Sequence, residues 1–233
     1  MEPLRDKPDI IQDMAPAEGE RLLDQGAKAL GISLSPFQIK QFMDYLALLR
    51  KWNRVINLTG LRSCREILVK HFLDSLSPLP YLPEEARILD LGSGAGFPGL
   101  PLKIARPYQA VTLIDASGKK VSFLKEVVRH LNLSHTPVLQ GFLGKGSPVV
   151  PGIDPFEIII TRAVGKVTSL LTGVDPYLAK GGKLLFMKGP EGPEEISLFQ
   201  AEIWKKGFQI DRPIRLTLPF LDQERILIFI TKI

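Results

Sequence analysis

The chain has 233 residues, 45% hydrophobic and 24% charged, an ordinary composition for one large globular domain or a domain with an added subdomain. Its single cysteine, Cys64, excludes an intrachain disulfide and fits a reducing cytoplasm, and no apolar run approaches the length of a membrane span. The formal net charge of +5 is unevenly spread: residues 40–71 hold seven basic residues (Lys40, Arg50, Lys51, Arg54, Arg62, Arg65, Lys70) against two acids (Asp44, Glu66). Such a surface suits a phosphate-rich partner, although a solvated helix face accounts for the charge alone more simply.

In chain order, residues 1–19 mix Asp, Glu, Lys and Pro without the apolar stretch of a signal peptide and read as a flexible arm. Residues 20–84 read as a helical extension. Ser35-Pro36 offers an N-cap and a proline at the first helical position. Phe37, Phe42, Leu46, Leu49 and Trp52 follow as a mostly one-sided apolar stripe, and a second helical pattern covers about 65–76. Residues 85–233 alternate short apolar runs with amphipathic ones. The expected strands are Arg87–Leu91, Val111–Asp115, Pro137–Leu139, Glu157–Thr161, Lys183–Met187, Ile214–Leu218 and Arg225–Thr231. Helices are expected at Lys119–Leu131, Val164–Leu178 and Glu194–Lys206. The pattern predicts an α/β fold with a seven-stranded, mostly parallel sheet. Only Pro219–Glu224 separates the last two strands, which must therefore be an antiparallel hairpin.

The chemistry concentrates in Asp90-Leu-Gly-Ser-Gly-Ala-Gly-Phe-Pro-Gly99, where an apolar strand runs into Asp90 and then a turn built on Gly92, Gly94 and Gly96. These glycines permit a tight strand-to-helix turn and close approach of a ligand to bare backbone. Gly94 to Gly99 also satisfies the weak dinucleotide pattern G-x-G-x-x-G. The register favours another ligand. Asp90 lies two residues before the first glycine, where it would repel a pyrophosphate but attract the amino group of an adenosyl sulfonium. Asp115 ends the second strand, where an acid accepts ribose hydroxyls. Read simply as structure, the same segment is a tight turn and Asp115 a turn residue.

Six separated motifs carry a resemblance. They are Lys51-Trp-Asn53 with Asn57-Leu-Thr59, His71 with Leu73-Asp-Ser75, Asp90–Gly99, Ser117-Gly-Lys-Lys120 followed by Phe123-Leu124, Thr161-Arg-Ala163, and Lys188-Gly189. In this order they resemble the bacterial 16S ribosomal RNA guanine-N7 methyltransferases, the glucose-inhibited division protein B family, from about residue 31 to 232. The resemblance implies a Rossmann-like class I methyltransferase fold with an N-terminal helical extension. It also implies S-adenosyl-L-methionine as cofactor, 16S rRNA or the small ribosomal subunit as partner, and a cytoplasmic monomer. By matching positions, Gly92, Phe97, Phe142, Leu143 and Arg162 would contact the cofactor beside Asp90, Gly94, Gly96 and Asp115. This chain departs from the family at Gln140-Gly-Phe-Leu-Gly144, where members commonly carry an arginine or acidic pair, so a side-chain bond to adenine from this loop is not expected. Thr161 and Asp115 replace the family's usual Ser and frequent Glu and keep the chemistry.

Guanine N7 has a lone pair and no proton, so no general base is required, and no Ser–His–Asp set or Cys/His metal-ligand spacing is present in the sequence. Asn53, Asn57, His71, Arg162 and Lys188 are the polar groups expected to meet the target base, and Lys51, Arg54 and Arg62 the phosphate contacts. Each has a plainer alternative. Arg162 could pair with Asp90 or Asp115, His71 with Asp74, and Lys188 could be an ordinary strand-end lysine; Trp52 packs in the core by default. Two other functions stay open at this level: a cofactor-binding assembly factor without turnover, and a small-molecule methyltransferase.

Overall fold

The computed structural model describes residues 14–61, 63–143, 154–162 and 167–233. Eight strands form one sheet: β1 (Ile88–Leu91), β2 (Val111–Asp115), β3 (Val138–Gln140), β4 (Phe156–Thr161), β5 (Leu178–Lys188), β6 (Phe208–Ile210), β7 (Ile214–Thr217) and β8 (Glu224–Lys232). Their order is β3-β2-β1-β4-β5-β8-β6, with β7 also paired to β8. Strands β1 to β5 run parallel, and β8 is antiparallel to β5, β6 and β7. The order reverses between β1 and β4, which opens a crevice at the carboxyl ends of those strands.

The expected α/β class holds, with one strand more than the sequence predicts. Phe208–Ile210 is three residues long, too short to register as a periodic run. Pro213, which lacks an N–H, falls in the break between β6 and β7, so one edge along β8 becomes two strands. The return strand of the hairpin does not lie at the edge. Ile226, Leu227, Ile228, Phe229 and Ile230 are all buried, and a strand covered on both faces belongs inside the sheet, between β5 and the β6/β7 edge. Two predicted helices are also shorter than expected. Pro176 ends α7 (Val167–Val174) in a 3-10 turn, Asp175–Tyr177, and β5 begins directly after it. The pattern at Glu194–Lys206 forms two short helices, α8 (Gly192–Ser197) and α9 (Gln200–Lys205).

Helices cover both faces. On one lie α1 (Pro16–Ala29), α2 (Pro36–Asn53), α5 (Gly99–Ala105) and α6 (Gly118–His130), with a helical run from α3 (Cys64–Ile67) through a π-helical stretch, Leu68–Leu73, into α4 (Asp74–Leu76). On the other lie α7, α8 and α9. The N-terminal helices share one apolar core with β1, β2, β4, β5 and β8.

Helix α2 does more than pack. Ser35 caps it in a reciprocal box with Gln38, as the Ser-Pro signal predicts. The Gln38 amide also donates to the carbonyls of Ile104 and Ala105, each at 2.9 Å, and Gln41 donates to Leu131 at 3.0 Å. These are the orphan carbonyls at the C-terminal ends of α5 and α6. The expected stripe is corrected at one position: Phe37 is 68% exposed. It precedes Phe42 by five residues, which is about 140° away on a helix. The buried places on that face go to Gln41, Phe42, Tyr45, Leu46 and Leu49.

Candidate active site

The turn after β1 is a left-handed glycine backbone held from several sides. Gly92, Gly94 and Gly96 take φ of 73°, 59° and 98°, values that side chains rarely adopt. Gly92 N–H and Ser93 N–H both donate to the Ile114 carbonyl, at 2.9 and 3.0 Å, which ties the turn to β2. A methyl on Gly96 would strike Leu100 and the Tyr45 hydroxyl, whereas one on Gly94 would meet nothing nearer than Gly92 O at 3.8 Å. The turn therefore presents bare backbone to open space at Gly94 and is packed from behind at Gly96.

Asp90 has no solvent exposure. Its Oδ2 accepts the Gly99 N–H at 2.9 Å, at the start of α5, and its Oδ1 has no partner. Burial pushes this carboxyl up to about 7, against the pull of the Gly99 N–H and the charge of Arg162. Asp115 holds Gly94 N–H with Oδ2 at 2.9 Å and Ser117 N–H with Oδ1 at 2.8 Å, so it locks the glycine turn to the β2–α6 turn. Each of its oxygens keeps acceptor capacity for a hydroxyl. After β3, Phe142 is 56% exposed, while the Leu143 side chain is buried with Leu89, Leu91 and Ile114. From Leu143 only the backbone is left for a ligand.

The helical extension supplies the other wall. Tyr45, fully buried, donates its hydroxyl to the Ala95 carbonyl inside the glycine turn. Burial drives its phenol well above the usual range, so it stays a neutral donor. Phe97 packs on Tyr45 and Phe72, the His71 ring stacks on it at 4.5 Å, and the Arg162 guanidinium lies 5.9 Å from its ring centre.

His71 does not pair with Asp74. Its Nε2 meets the Thr59 hydroxyl at 2.7 Å, and Nδ1 has no partner. Burial, aided by the charge of Arg162, pushes His71 down to about 4, so the ring is neutral near pH 7. Arg162 does not pair with Asp90 or Asp115 either. It meets Asp74 at 3.1 Å, together with Ser75 Oγ at 3.4 Å and the Lys70 carbonyl at 3.2 Å. With Thr161 Oγ1, the orphaned atoms of Asp90 and His71 make three buried polar atoms without a partner among the described residues of this region.

The remaining predicted residues divide. Asn53 is committed to its own loop: its side chain accepts Leu58 N–H at 2.8 Å and Thr59 N–H at 3.0 Å and donates to Thr59 O at 3.0 Å. Lys51, Arg54 and Asn57 are exposed around that loop. Lys188 is paired with Glu195 of α8 at 2.9 Å. Arg62 and Ala163 lie outside the described residues. Sequence reasoning missed Tyr45, Thr59, Asp74, Ser75 and Arg225 as parts of this wall. A tyrosine within an apolar stripe signals a buried hydroxyl needing an acceptor. Asp74 and Ser75 lie inside a recognised motif, where the spacing offers Asp74 only as a partner of His71, and nothing local marks Arg225.

The model of the family described as rRNA small subunit methyltransferase G matches residues 38–221. The chain belongs to that family. A ribosomal RNA small subunit methyltransferase G of Alkaliphilus metalliredigens is 36% identical over 218 residues, covering 93% of this chain and 91% of the relative. One from Burkholderia pseudomallei is 40% identical over 215 residues, covering 90% and 89%. Among solved structures, a SAM-dependent methyltransferase from Aquifex aeolicus superposes with a TM-score of 0.56 at 17% identity, over 79% of this chain and 98% of that one. A methyltransferase from Pyrococcus furiosus gives 0.54 at 16% identity, over 82% and 98%. These two establish the shared fold. In this chain the glycine turn lies at the reversal of strand order, where α/β folds bind ligands.

Proposed function

We propose that this protein transfers a methyl group from S-adenosyl-L-methionine to N7 of a guanine in 16S rRNA, acting as a cytoplasmic monomer on the small ribosomal subunit or its RNA. The observation that carries the reading is the glycine turn: bare backbone at Gly94, flanked by an unpartnered buried carboxylate oxygen on Asp90 and by Asp115. This donor set fits the cofactor. The Asp90 oxygen suits an ammonium group, the Asp115 oxygens suit ribose hydroxyls, and exposed Phe142 suits an adenine face. The target assignment rests on the relatives, whose names state small-subunit ribosomal RNA. Among the described residues no helix is long and apolar enough to cross a membrane.

When bound, the cofactor supplies a sulfonium-activated methyl group. The protein's own task is alignment. Guanine N7 needs no deprotonation, and His71, held neutral and stacked on Phe97, is placed to shape the pocket rather than to take a proton. Tyr45 and Asp115 fix the turn from opposite sides, which preorganises the pocket before substrate arrives. Such positioning is worth roughly 7–11 kcal/mol of barrier. Lys51, Arg54 and Asn57, exposed beside the 54–60 loop, serve as RNA contacts. Asn53 and His71 support that loop through Thr59. The helical extension (20–84) and methyltransferase domain (85–233) act as one unit, with the extension completing the pocket and its first helix already begun at Pro16, inside the arm expected at 1–19.

The test is transfer of a labelled methyl group to unmodified 30S particles and to free 16S rRNA, with the modified base mapped by borohydride–aniline cleavage. One cleavage at a single guanine, lost in Asp90→Ala or Arg162→Ala, is the expected result. Cofactor binding with no label in any RNA form rejects the substrate and moves the small-molecule and assembly-factor functions ahead.

A further inference from the structure

Arg162 directly follows β4, yet β4 does not set where its guanidinium lies. The Asp74 carboxylate does, and that carboxylate has no solvent exposure. Asp74 is itself gripped by Arg225, near the start of β8, whose Nε and Nη2 reach Oδ1 and Oδ2 at 2.6 and 2.7 Å. One carboxylate from the N-terminal helices is thus shared by two guanidinium groups, one just past β4 and one in β8. The sharing is uneven. Arg225 takes both oxygens in the two-pronged geometry that suits a planar fork, and Arg162 reaches Oδ2 alone. A guanidinium has five N–H donors. Among the described residues Arg162 contacts one carboxylate oxygen, one hydroxyl and one carbonyl, which leaves donor capacity on its five N–H groups while it rests over Phe97 at the glycine turn.

We infer that Asp74 and Arg225 are positioning residues, which hold Arg162 at the glycine turn with N–H groups to spare for the carboxylate of the methyl-donor cofactor. The inference rests on the methyltransferase reading above. Removing the Asp74 charge leaves two guanidinium groups facing each other without an anion, and Arg162 loses its anchor. Removing Arg225 leaves Asp74 open to take Arg162 with both oxygens, which spends its donors and draws it from Phe97.

The test is a pair of thermodynamic cycles on the full chain, with S-adenosylmethionine affinity read by calorimetry without RNA and folding read by thermal unfolding. Arg162→Met is expected to weaken affinity by about tenfold or more, the worth of a charge-assisted hydrogen bond. Asp74→Asn is expected to weaken it by about tenfold and Arg225→Gln by about fivefold, with Arg225→Lys recovering most of that loss. In the Arg162→Met background, Asp74→Asn and Arg225→Gln should have no further effect. Arg225 is the less buried partner, so its cycle decides the question even where Asp74→Asn does not fold. Equal losses with and without Arg162 overturn the proposal, as does wild-type affinity in folded Arg225→Gln. Wild-type affinity in Arg162→Met overturns it together with the cofactor role of Arg162. Because the readout contains no RNA, a failed rRNA assignment leaves these outcomes unchanged.

Discussion

Asp90→Asn tests how the buried carboxyl under the glycine turn is held. Asp90 has one oxygen on Gly99 N–H and one without a partner, and burial pushes it from an ordinary 3.8 up to about 7. The folded value lies above the unfolded one. Between roughly pH 4 and 7 the native chain therefore keeps a proton that the unfolded chain has released. The stability this group contributes is complete below the unfolded value and is lost as pH rises through about 7. Three pH units at about 1.4 kcal/mol each set the full loss at about 4 kcal/mol. Asparagine is neutral throughout and keeps an oxygen for Gly99. It places an amide N–H₂ where no acceptor exists, at a cost of about 1–3 kcal/mol. Relative to wild type, the variant should gain about 3 kcal/mol between roughly pH 4.5 and pH 8. It should be the less stable protein in acid and the more stable one in mild base. Urea unfolding of the ligand-free proteins at the two pH values reads this directly. Taking the difference cancels His71, whose folded value of about 4 is below the unfolded 6.5 and removes stability as pH falls through that window. A stability difference that is the same at both pH values refutes the argument. Cofactor affinity supplies an independent check: an ammonium group favours ionised Asp90, so wild-type binding should weaken below about pH 7 and the variant's should not.

Two glycine substitutions should separate packing from ligand space. Gly96→Ala forces a methyl into Tyr45 and Leu100 at a φ of 98°, and should cost about 2 kcal/mol or more of stability by thermal unfolding, with loss of cofactor binding. Gly94→Ala has room for its methyl, so stability should fall by about 1 kcal/mol while calorimetric cofactor affinity falls much further; equal losses in both would show that Gly94 does not face the ligand. Asn53→Ala frees three hydrogen bonds of the 54–59 loop, and should lower methyl transfer to RNA while leaving cofactor affinity unchanged in the calorimeter. Lys51→Glu with Arg54→Glu should weaken RNA binding and flatten its salt dependence by about one unit of slope per lost phosphate contact, measured by filter binding across a salt series.

Much of this molecule is legible along the chain. The pattern predicts strand β2 with its observed ends, Val111 and Asp115, and β1 to within one residue, because both are short apolar runs bounded by turn signals. The glycine turn and its acids are also local, since a strand, a positive-φ turn and a helix start all fall within about ten residues. The Ser-Pro start of α2 is equally local, because a capping box spans four residues. What the sequence leaves open are pairings between distant segments. Asp74 and Arg225 are 151 residues apart, and no periodicity links a buried carboxylate at the start of α4 to the second residue of a late strand. Local spacing pointed His71 toward Asp74, yet folding gave His71 to Thr59 and Asp74 to two arginines. Likewise the hairpin reading left open which strand lies inside the sheet; β8 takes that place, between β5 and the β6/β7 edge, with apolar cover on both faces. Sequence thus determined the fold class, the turn and the family. The wall that faces the turn was decided by tertiary packing, because a buried charge or hydroxyl takes whichever partner the fold carries to it.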